Sequence, residues 1–91
     1  MIKFMAILNI EAALKAVERN GYALQYVKEQ TEAVCLKAVK NNGNALQYVK
    51  EQTEAVCLKA VKNDSNALQY ALSLKLFIAI ALKLKIKTDK T

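Results

Sequence analysis

The chain contains no proline and only two glycines among its 91 residues, whereas average proteins contain about 5% proline and 7% glycine. Both residue types interrupt helices, because proline lacks a backbone N–H group and glycine adds conformational freedom. Their scarcity and an apolar fraction of 54% exclude a disordered chain and favour helices joined by short turns. A chain of this length buries about 60% of the surface that its unfolded form exposes, so its core is small.

Histidine and tryptophan are also absent, and the lack of histidine removes the commonest general base and metal ligand. The two glycines stand singly, so the sequence has no glycine-rich phosphate loop. Carboxylates recur as the pairs Glu29/Glu32 and Glu51/Glu54, which we expect to be solvated or to interact with helix dipoles. The sequence therefore predicts a protein that is not an enzyme and has no catalytic, cofactor-binding or metal-binding residues.

The two cysteines, Cys35 and Cys57, are one repeat position seen twice rather than a metal-binding or redox pair. Cys35 lies in an apolar run, so we expect both thiols to pack as small hydrophobic groups. Free thiols favour a reducing compartment. The apolar opening, residues 1–10, contains Lys3 and lacks a small-residue cleavage site, so no signal peptide is expected and the cytoplasm is the predicted location.

The net charge of +6 is distributed unevenly along the chain. Residues 1–70 carry nine basic and seven acidic side chains, a net charge of +2. Residues 71–91 carry five lysines and one aspartate, a net charge of +4. The basic character that suggests a nucleic-acid partner therefore belongs mostly to the C-terminal segment.

A tandem repeat of 22 residues dominates the sequence. Residues 23–41 read ALQYVKEQTEAVCLKAVKN, and residues 45–63 repeat the same nineteen letters. A third copy begins with ALQY at residue 67, and a diverged copy, EAALKAVERNG, occupies residues 11–21. Units too short to fold alone must stack on their neighbours, so the repeat predicts a solenoid.

Each unit is predicted to contain two short helices. Thr31 is placed to cap the first helix, and Gly43 is expected to end it in the left-handed conformation. Asn44 is then expected to cap a second helix from Ala45 to about Gln52, with Gln47 completing a capping box. The predicted fold is all-α, with short tandem helical-hairpin repeats stacked as a small α-solenoid of about six or seven helices.

The pattern E-A-V-x-L-K-A-V-K-x-N-G-x-A-L-Q-Y-V resembles the tandem helical repeats of the family called domain of unknown function 4116. Residues 10–70 carry the pattern, twice at full strength. The resemblance implies a helical array and assigns no activity. Because the pattern is lost after Tyr70, we divide the chain into a repeat array, residues 1–70, and a divergent apolar and basic segment, residues 71–91.

The segment after residue 70 alternates leucine or isoleucine with other residues, which is the periodicity of a strand. Leucine, alanine and lysine are good helix formers, and the upstream repeats are helical, so a helix is predicted instead. We expect this segment to cap the last repeat or to self-associate. The candidate self-association contacts are Leu72, Leu76, Phe77 and Ile80. A membrane span is not expected, because spanning takes about 20 apolar residues, but peripheral membrane association through residues 72–86 is an alternative.

A frameshift is one explanation for the change of text after Ser73. If residues 74–77 are encoded CTG-AAG-CTA-TTT, reading from the last base of the Ser73 codon can give Thr-Glu-Ala-Ile, close to the Thr-Glu-Ala-Val of the repeat. Under this hypothesis the chain is a truncated fragment of a longer array. Sequencing the gene tests it.

Three series of side chains recur once per unit and are the candidate partner contacts. They are Gln25, Gln47 and Gln69, then Tyr26, Tyr48 and Tyr70, then Lys15, Lys37 and Lys59. Such side chains read RNA bases in some helical repeats, but each identical unit carries a net charge of only +1, and phosphate binding requires a denser positive stripe. We expect the tyrosine rings to pack between repeats and the lysines to stay hydrated.

The predicted function is therefore a non-catalytic repeat scaffold for protein–protein interaction or self-assembly. Weak nucleic-acid binding through the basic C-terminal segment is the alternative from another class. Because the repeats are identical, no selective pocket is expected between them.

Overall fold

The computed structural model describes residues 9–72 and 74–84, without the side chains of Leu74 and Phe77. Four α-helices alternate with three short 3₁₀-helices in this part of the chain. The α-helices are α1 (Ile10–Arg19), α2 (Glu32–Asn41), α3 (Glu54–Asn63) and α4 (Leu74–Lys83), and the 3₁₀-helices are η1 (Gly21–Tyr26), η2 (Gly43–Tyr48) and η3 (Ser65–Tyr70). Each α-helix packs on the next, and the 3₁₀-helices form a parallel row beside them. The principal extents are 52 × 20 × 19 Å, and the predicted all-α solenoid is confirmed.

Each of the first three α-helices is preceded by a residue whose side chain accepts a hydrogen bond from a backbone N–H group in the first turn of the helix. Thr31 Oγ1 accepts from the backbone N–H of Val34 at 3.2 Å, as predicted. Thr53 repeats this contact in the next unit, and Asn9 takes the same role before α1. These caps satisfy N–H groups that the helix leaves without partners, so the local sequence is sufficient to set where each α-helix begins.

A single residue makes the turn between the two helices of a unit. Asn42 donates its N–H to the last turn of α2, and its side chain accepts from the backbone N–H of Asn44 at 2.9 Å, which caps η2. The prediction that Asn44 is the cap is therefore wrong. Gln47 donates to the Asn44 carbonyl oxygen at 3.1 Å and forms no capping box. The second helix is a 3₁₀-helix that ends at Tyr48 rather than at Gln52.

The predicted role of Gly43 is also wrong. Its φ lies outside the left-handed region, and it is the buried first residue of η2. A Cβ atom at this position would lie 2.5 Å from the carbonyl oxygen of Ala60 in α3, and a Cβ at Gly21 would meet Ala38 at the same distance. Glycine is required because the backbone of the next unit approaches it closely. The corresponding residue of the third unit, Ser65, is exposed.

One apolar core extends along the stack, and among the described residues no polar or charged side chain is buried in it. The largest fully buried side chains are Leu24, Leu46, Ile80, Val17, Val27, Val34, Val39, Val56 and Cys57. They come from all four α-helices and from the first two 3₁₀-helices or the residue that follows. Neighbouring units therefore share the core, which is how helices too short to be stable alone become stable.

The divergent segment forms α4, so the prediction of a helix over a strand is confirmed for residues 74–83. This helix packs on α3, and Ile80 belongs to the core that the repeats share. The division of the chain at residue 70 stays a prediction. None of the helices that the structure describes has the length and hydrophobicity needed to cross a bilayer.

Candidate interaction surface

Two glutamines that the sequence analysis did not single out make polar contacts between repeats, alongside asparagine side chains of α2 and α3. The side-chain amide of Gln30 donates to the carbonyl oxygen of Tyr48 at 2.9 Å, and its oxygen accepts from the backbone N–H of Lys50 at 3.0 Å. Gln52 makes the same contact with Tyr70 one unit further along, also at 2.9 Å. These side chains therefore join units and are not available to a partner.

The predicted glutamine series lies on the surface and makes only local contacts. Gln25, Gln47 and Gln69 are all exposed. Each donates to the carbonyl oxygen three residues earlier in its own 3₁₀-helix, at 3.0 to 3.1 Å. Because these side chains are exposed, the series remains a candidate contact.

The predicted tyrosine series does not behave uniformly. Tyr48 and Tyr70 are half-buried against the core, whereas Tyr26 is 51% exposed. Tyr22, which the analysis missed, packs edge-on against Tyr48 of the next unit with ring centroids 6.0 Å apart. The expected packing of tyrosine rings between units therefore involves Tyr22 and Tyr48, and Tyr26 keeps the most accessible ring of the three.

The lysine series lies on the outer face of the α-helical layer. Lys15, Lys37 and Lys59 are all exposed. Lys37 and Lys59 line a groove of about 490 Å³ between α2 and α3. We call it the α2–α3 groove, and its lining residues are Ala33, Leu36, Lys37, Lys40, Ala55, Leu58, Lys59 and Lys62. Its lining combines two exposed alanines and two half-buried leucines, which we call the floor, with four exposed lysines, which we call the rim.

The charge of this groove is not repeated at the neighbouring helices. In α1 the positions that match Ala33 and Lys40 are Glu11 and Glu18, and Glu18 pairs with Lys37 at 3.7 Å. At the other end, Lys83 of α4 pairs with Glu54 at 3.3 Å. The α1–α2 pair therefore does not reproduce the lining of the groove between the identical helices α2 and α3. The expectation that identical repeats form no selective pocket stays a prediction.

A second cavity, of about 470 Å³, lies between the loops that precede α2 and α3. Its charged lining mixes both signs: Lys28, Glu29, Glu32, Lys50 and Glu51. With two lysines against three glutamates, the lining forms no strong patch of either sign. Among the residues that the structure describes, no three acidic or cysteine side chains are grouped in a way that suits a metal ion.

The two thiols are free and buried, as expected for packing groups. Burial raises the pKa of Cys35 to about 11, and the nearby carboxylate of Glu32 adds to the shift. Burial also raises the pKa of Cys57. Because the thiolate is the reactive form, these shifts favour a packing role for both side chains.

The predicted self-association residues fall into different environments. Leu72 is 71% exposed, whereas Leu76 is half-buried against the core. Ile80 is fully buried, so it is removed from the candidate contacts. The side chain of Phe77 lies outside the described residues. Two further apolar side chains, Ile78 (48% exposed) and Leu82 (72% exposed), stand one turn apart on α4 and were missed.

Stacked α- and 3₁₀-helices with a 22-residue period define a helical-repeat solenoid. The profile of the family described as Domain of unknown function (DUF4116) matches residues 9–53 and again residues 32–75. These matches together cover most of the chain, which therefore belongs to this family. No curated protein and no solved structure matches the chain. Both matches include residues 32–53, so α2 and η2 are shared between two overlapping copies of the family's domain.

Proposed function

We propose that this chain is a non-catalytic repeat scaffold that binds another protein. The observation that carries the proposal is the α2–α3 groove, which combines an apolar floor with a charged rim. This combination is typical of protein interfaces, where an apolar centre is surrounded by polar groups that remain accessible to water. Gln30 and Asn63 both donate hydrogen bonds between the two units that flank the groove, so the surface is organised before a partner arrives.

The raised pKa values of the two cysteines support the non-catalytic part of this proposal. Cys35 lines the second cavity, and it is the side chain there that a catalytic mechanism would use as a nucleophile. A nucleophilic thiol requires a lowered pKa. The shift is in the opposite direction, which favours a packing role for this residue.

A selection from a random peptide display library tests the proposal without presupposing which peptides bind. We expect a family of related peptides to be enriched on the immobilised full chain, and each to bind saturably as a free peptide. If no sequence is enriched, and the chain instead retains mixed oligonucleotides or anionic vesicles, the scaffold proposal is wrong. A chain with Tyr26→Ser and Gln25→Ser, two exposed sites of the 3₁₀ layer, shows whether the enriched peptides use that layer.

Self-assembly is a second candidate, and the exposed apolar side chains of the C-terminal segment favour it. Leu72 and Leu82 are each more than two-thirds exposed, and Ile78 stands beside Leu82. Light scattering after size exclusion measures the molar mass of the full chain and of the Leu72→Gln, Leu82→Gln double variant. An oligomer that becomes a monomer in the variant supports self-assembly, and a monomeric wild-type chain excludes it.

Two further predictions concern other classes of partner and the location. Weak nucleic-acid binding by the C-terminal segment predicts retention of mixed oligonucleotides that is lost as salt is raised. Peripheral membrane association through residues 72–86 predicts co-sedimentation with anionic vesicles that is lost in the Leu72→Gln, Leu82→Gln variant. A cytoplasmic location stays a prediction that rests on the two free thiols.

A further inference from the structure

The shape of the α2–α3 groove suits a third helix. The two helices that form it have ten residues each, so the groove is about 15 Å long. Neighbouring helices pack with their axes about 8–10 Å apart, and the depression between two such cylinders accepts another cylinder. Alanines at residues 33 and 55 keep the floor low, and Leu36 and Leu58 supply half-buried apolar surface within it. A helix of about three turns fills this length.

The charge of the rim determines which helix fits. Lys37 and Lys40 are spaced i,i+3 along α2, and Lys59 and Lys62 have the same spacing along α3. Residues with this spacing lie on one face of a helix, so the lysines line both sides of the groove. No acidic residue lines the groove. A complementary ligand therefore carries carboxylates on both sides of an apolar stripe.

The apolar floor favours a peptide over the other polyanions. Nucleic-acid phosphates would neutralise the lysines but would leave Leu36 and Leu58 without apolar contact. A bilayer surface is flat on this scale and would contact the lysine side chains without entering the groove. An amphipathic helix satisfies both requirements, since its apolar stripe covers the floor and its flanking carboxylates meet the rim.

The neighbouring groove between α1 and α2 does not offer the same site. In the groove between α1 and α2, Glu11 and Glu18 replace an alanine and a lysine of the repeat, and Glu18 already pairs with Lys37. Lys40, Lys59 and Lys62 have no ion pair with any described residue. Their charges are therefore available to a ligand.

We infer that the α2–α3 groove binds an acidic amphipathic helix, about three turns long, of a partner protein. The inference rests on the proposed scaffold function and names the chemistry of its partner. Each ion pair at the rim contributes little to the affinity, because it is exposed to solvent. The specificity of the groove therefore comes from requiring both an apolar stripe and carboxylates on the two sides of that stripe.

The test uses a fluorescent peptide of about three helical turns, with leucines at positions i, i+3, i+4 and i+7 and glutamates on both sides of them. Its control is the same peptide with glutamine in place of each glutamate. Fluorescence anisotropy measures binding of both peptides to the full chain. We expect the glutamate peptide to bind at least about tenfold more tightly, and its affinity to fall as salt is raised from about 50 to 500 mM.

Two charge-matched variants locate the site on the chain. The Lys40→Glu, Lys62→Glu variant reverses two rim lysines, and at Lys40 it introduces the residue that α1 has naturally in Glu18. The Lys28→Glu, Lys50→Glu variant makes the same change of charge at exposed lysines of the second cavity. We expect the rim variant to bind the glutamate peptide about tenfold more weakly and the control variant to change its affinity less than about threefold.

The floor is tested separately by the Ala33→Gln, Ala55→Gln variant, which fills the groove at exposed positions without altering the core. We expect it to lose peptide binding while its circular dichroism melting curve stays close to that of the wild type. Full binding by this variant, or equal loss in both lysine variants, would overturn the inference.

The outcome of the library selection separates this inference from the scaffold proposal. Enriched peptides that are not acidic, or that bind the rim variant normally, leave the scaffold proposal in place and refute the groove assignment. If mixed oligonucleotides or anionic vesicles bind and the rim variant abolishes their binding, while the glutamate peptide does not bind, the groove is a general anion surface and the inference is wrong.

Discussion

The side-chain amide of Gln30 reaches across to the next repeat and donates a hydrogen bond of 2.9 Å to the carbonyl oxygen of Tyr48. The same side chain accepts from the backbone N–H of Lys50, so it satisfies one donor and one acceptor where the chain leaves η2. The thiol of Cys35 also lies 3.6 Å from the Gln30 side-chain oxygen. Gln30 is therefore one of the side chains that join neighbouring units.

We predict that Gln30→Ala destabilises the protein by about 1–3 kcal/mol, because it leaves partly buried backbone groups without partners. Urea unfolding followed by circular dichroism measures the change. The matched control is Gln25→Ala, which removes only a local contact at an exposed position and should change the free energy of unfolding by less than about 0.5 kcal/mol. Equal effects of the two substitutions would show that Gln30 does not hold the units together.

Gly43→Ala should destabilise the protein by about 1–3 kcal/mol, because the new Cβ atom would overlap the carbonyl oxygen of Ala60 and push α3 away. Ser65→Ala is the control, since this residue occupies the same repeat position but is exposed, and we expect a change of less than about 0.5 kcal/mol. Thermal unfolding of both variants is sufficient to compare them. A tolerated Gly43→Ala would mean that the stack adjusts without cost at this contact.

The sequence was sufficient where the determining contacts are local. Thr31 and the N–H group that it caps are three residues apart, so the first helix could be located from the chain alone. The role predicted for Gly43 was wrong because glycine is needed there for a contact outside its own unit. The carbonyl oxygen of Ala60, in the next unit, leaves no room for a Cβ atom. The predicted boundaries of the second helix were wrong because one residue, Asn42, both ends α2 and caps the next helix. The prediction gave the capping role to Asn44 instead.

The most consequential omission was the glutamine between units. Gln30 and Gln52 occur at one repeat position in an otherwise charged loop, and the next position in the series is Leu74, where the repeat pattern is lost. The loss of the glutamine at the position where the repeat ends was the one signal in the sequence that it joins repeats. The series of Lys37 and Lys59 could be read from the repeat, but the groove between them depends on Leu36, Leu58 and the spacing of two packed helices. The spacing of lysines along one helix does not show how a second helix packs beside it.

The raised pKa of Cys35 predicts a loss of stability in alkaline solution. A thiol whose pKa is higher in the folded chain stabilises the fold below its unfolded pKa of 9.0, and this contribution disappears as the pH rises toward about 11. Urea unfolding at several pH values between 8 and 11 measures the effect. Tyrosines and lysines also titrate there, so the prediction concerns the difference between wild type and Cys35→Ala: the wild type should lose more stability over this range. Parallel curves would contradict it.

Two isoleucines of α4 test whether the divergent segment is part of the fold or an appendage to it. Ile80 is fully buried in the core shared by the repeats, whereas Ile78 is 48% exposed. Ile80→Ala should therefore cost about 2–5 kcal/mol, because it removes buried apolar surface and leaves a cavity. Ile78→Ala should cost less than about 1 kcal/mol, because its side chain already contacts water.

The comparison is informative because both substitutions make the same chemical change in the same helix, so helix propensity cancels. Unfolding should remain a single transition in both variants if α4 and the repeats share one core. A small effect of Ile80→Ala, or a separate early transition for α4, would mean that the repeats fold without this segment. In that case its exposed leucines, Leu72 and Leu82, would belong to an independent element, and a self-assembly role would not depend on the stability of the array.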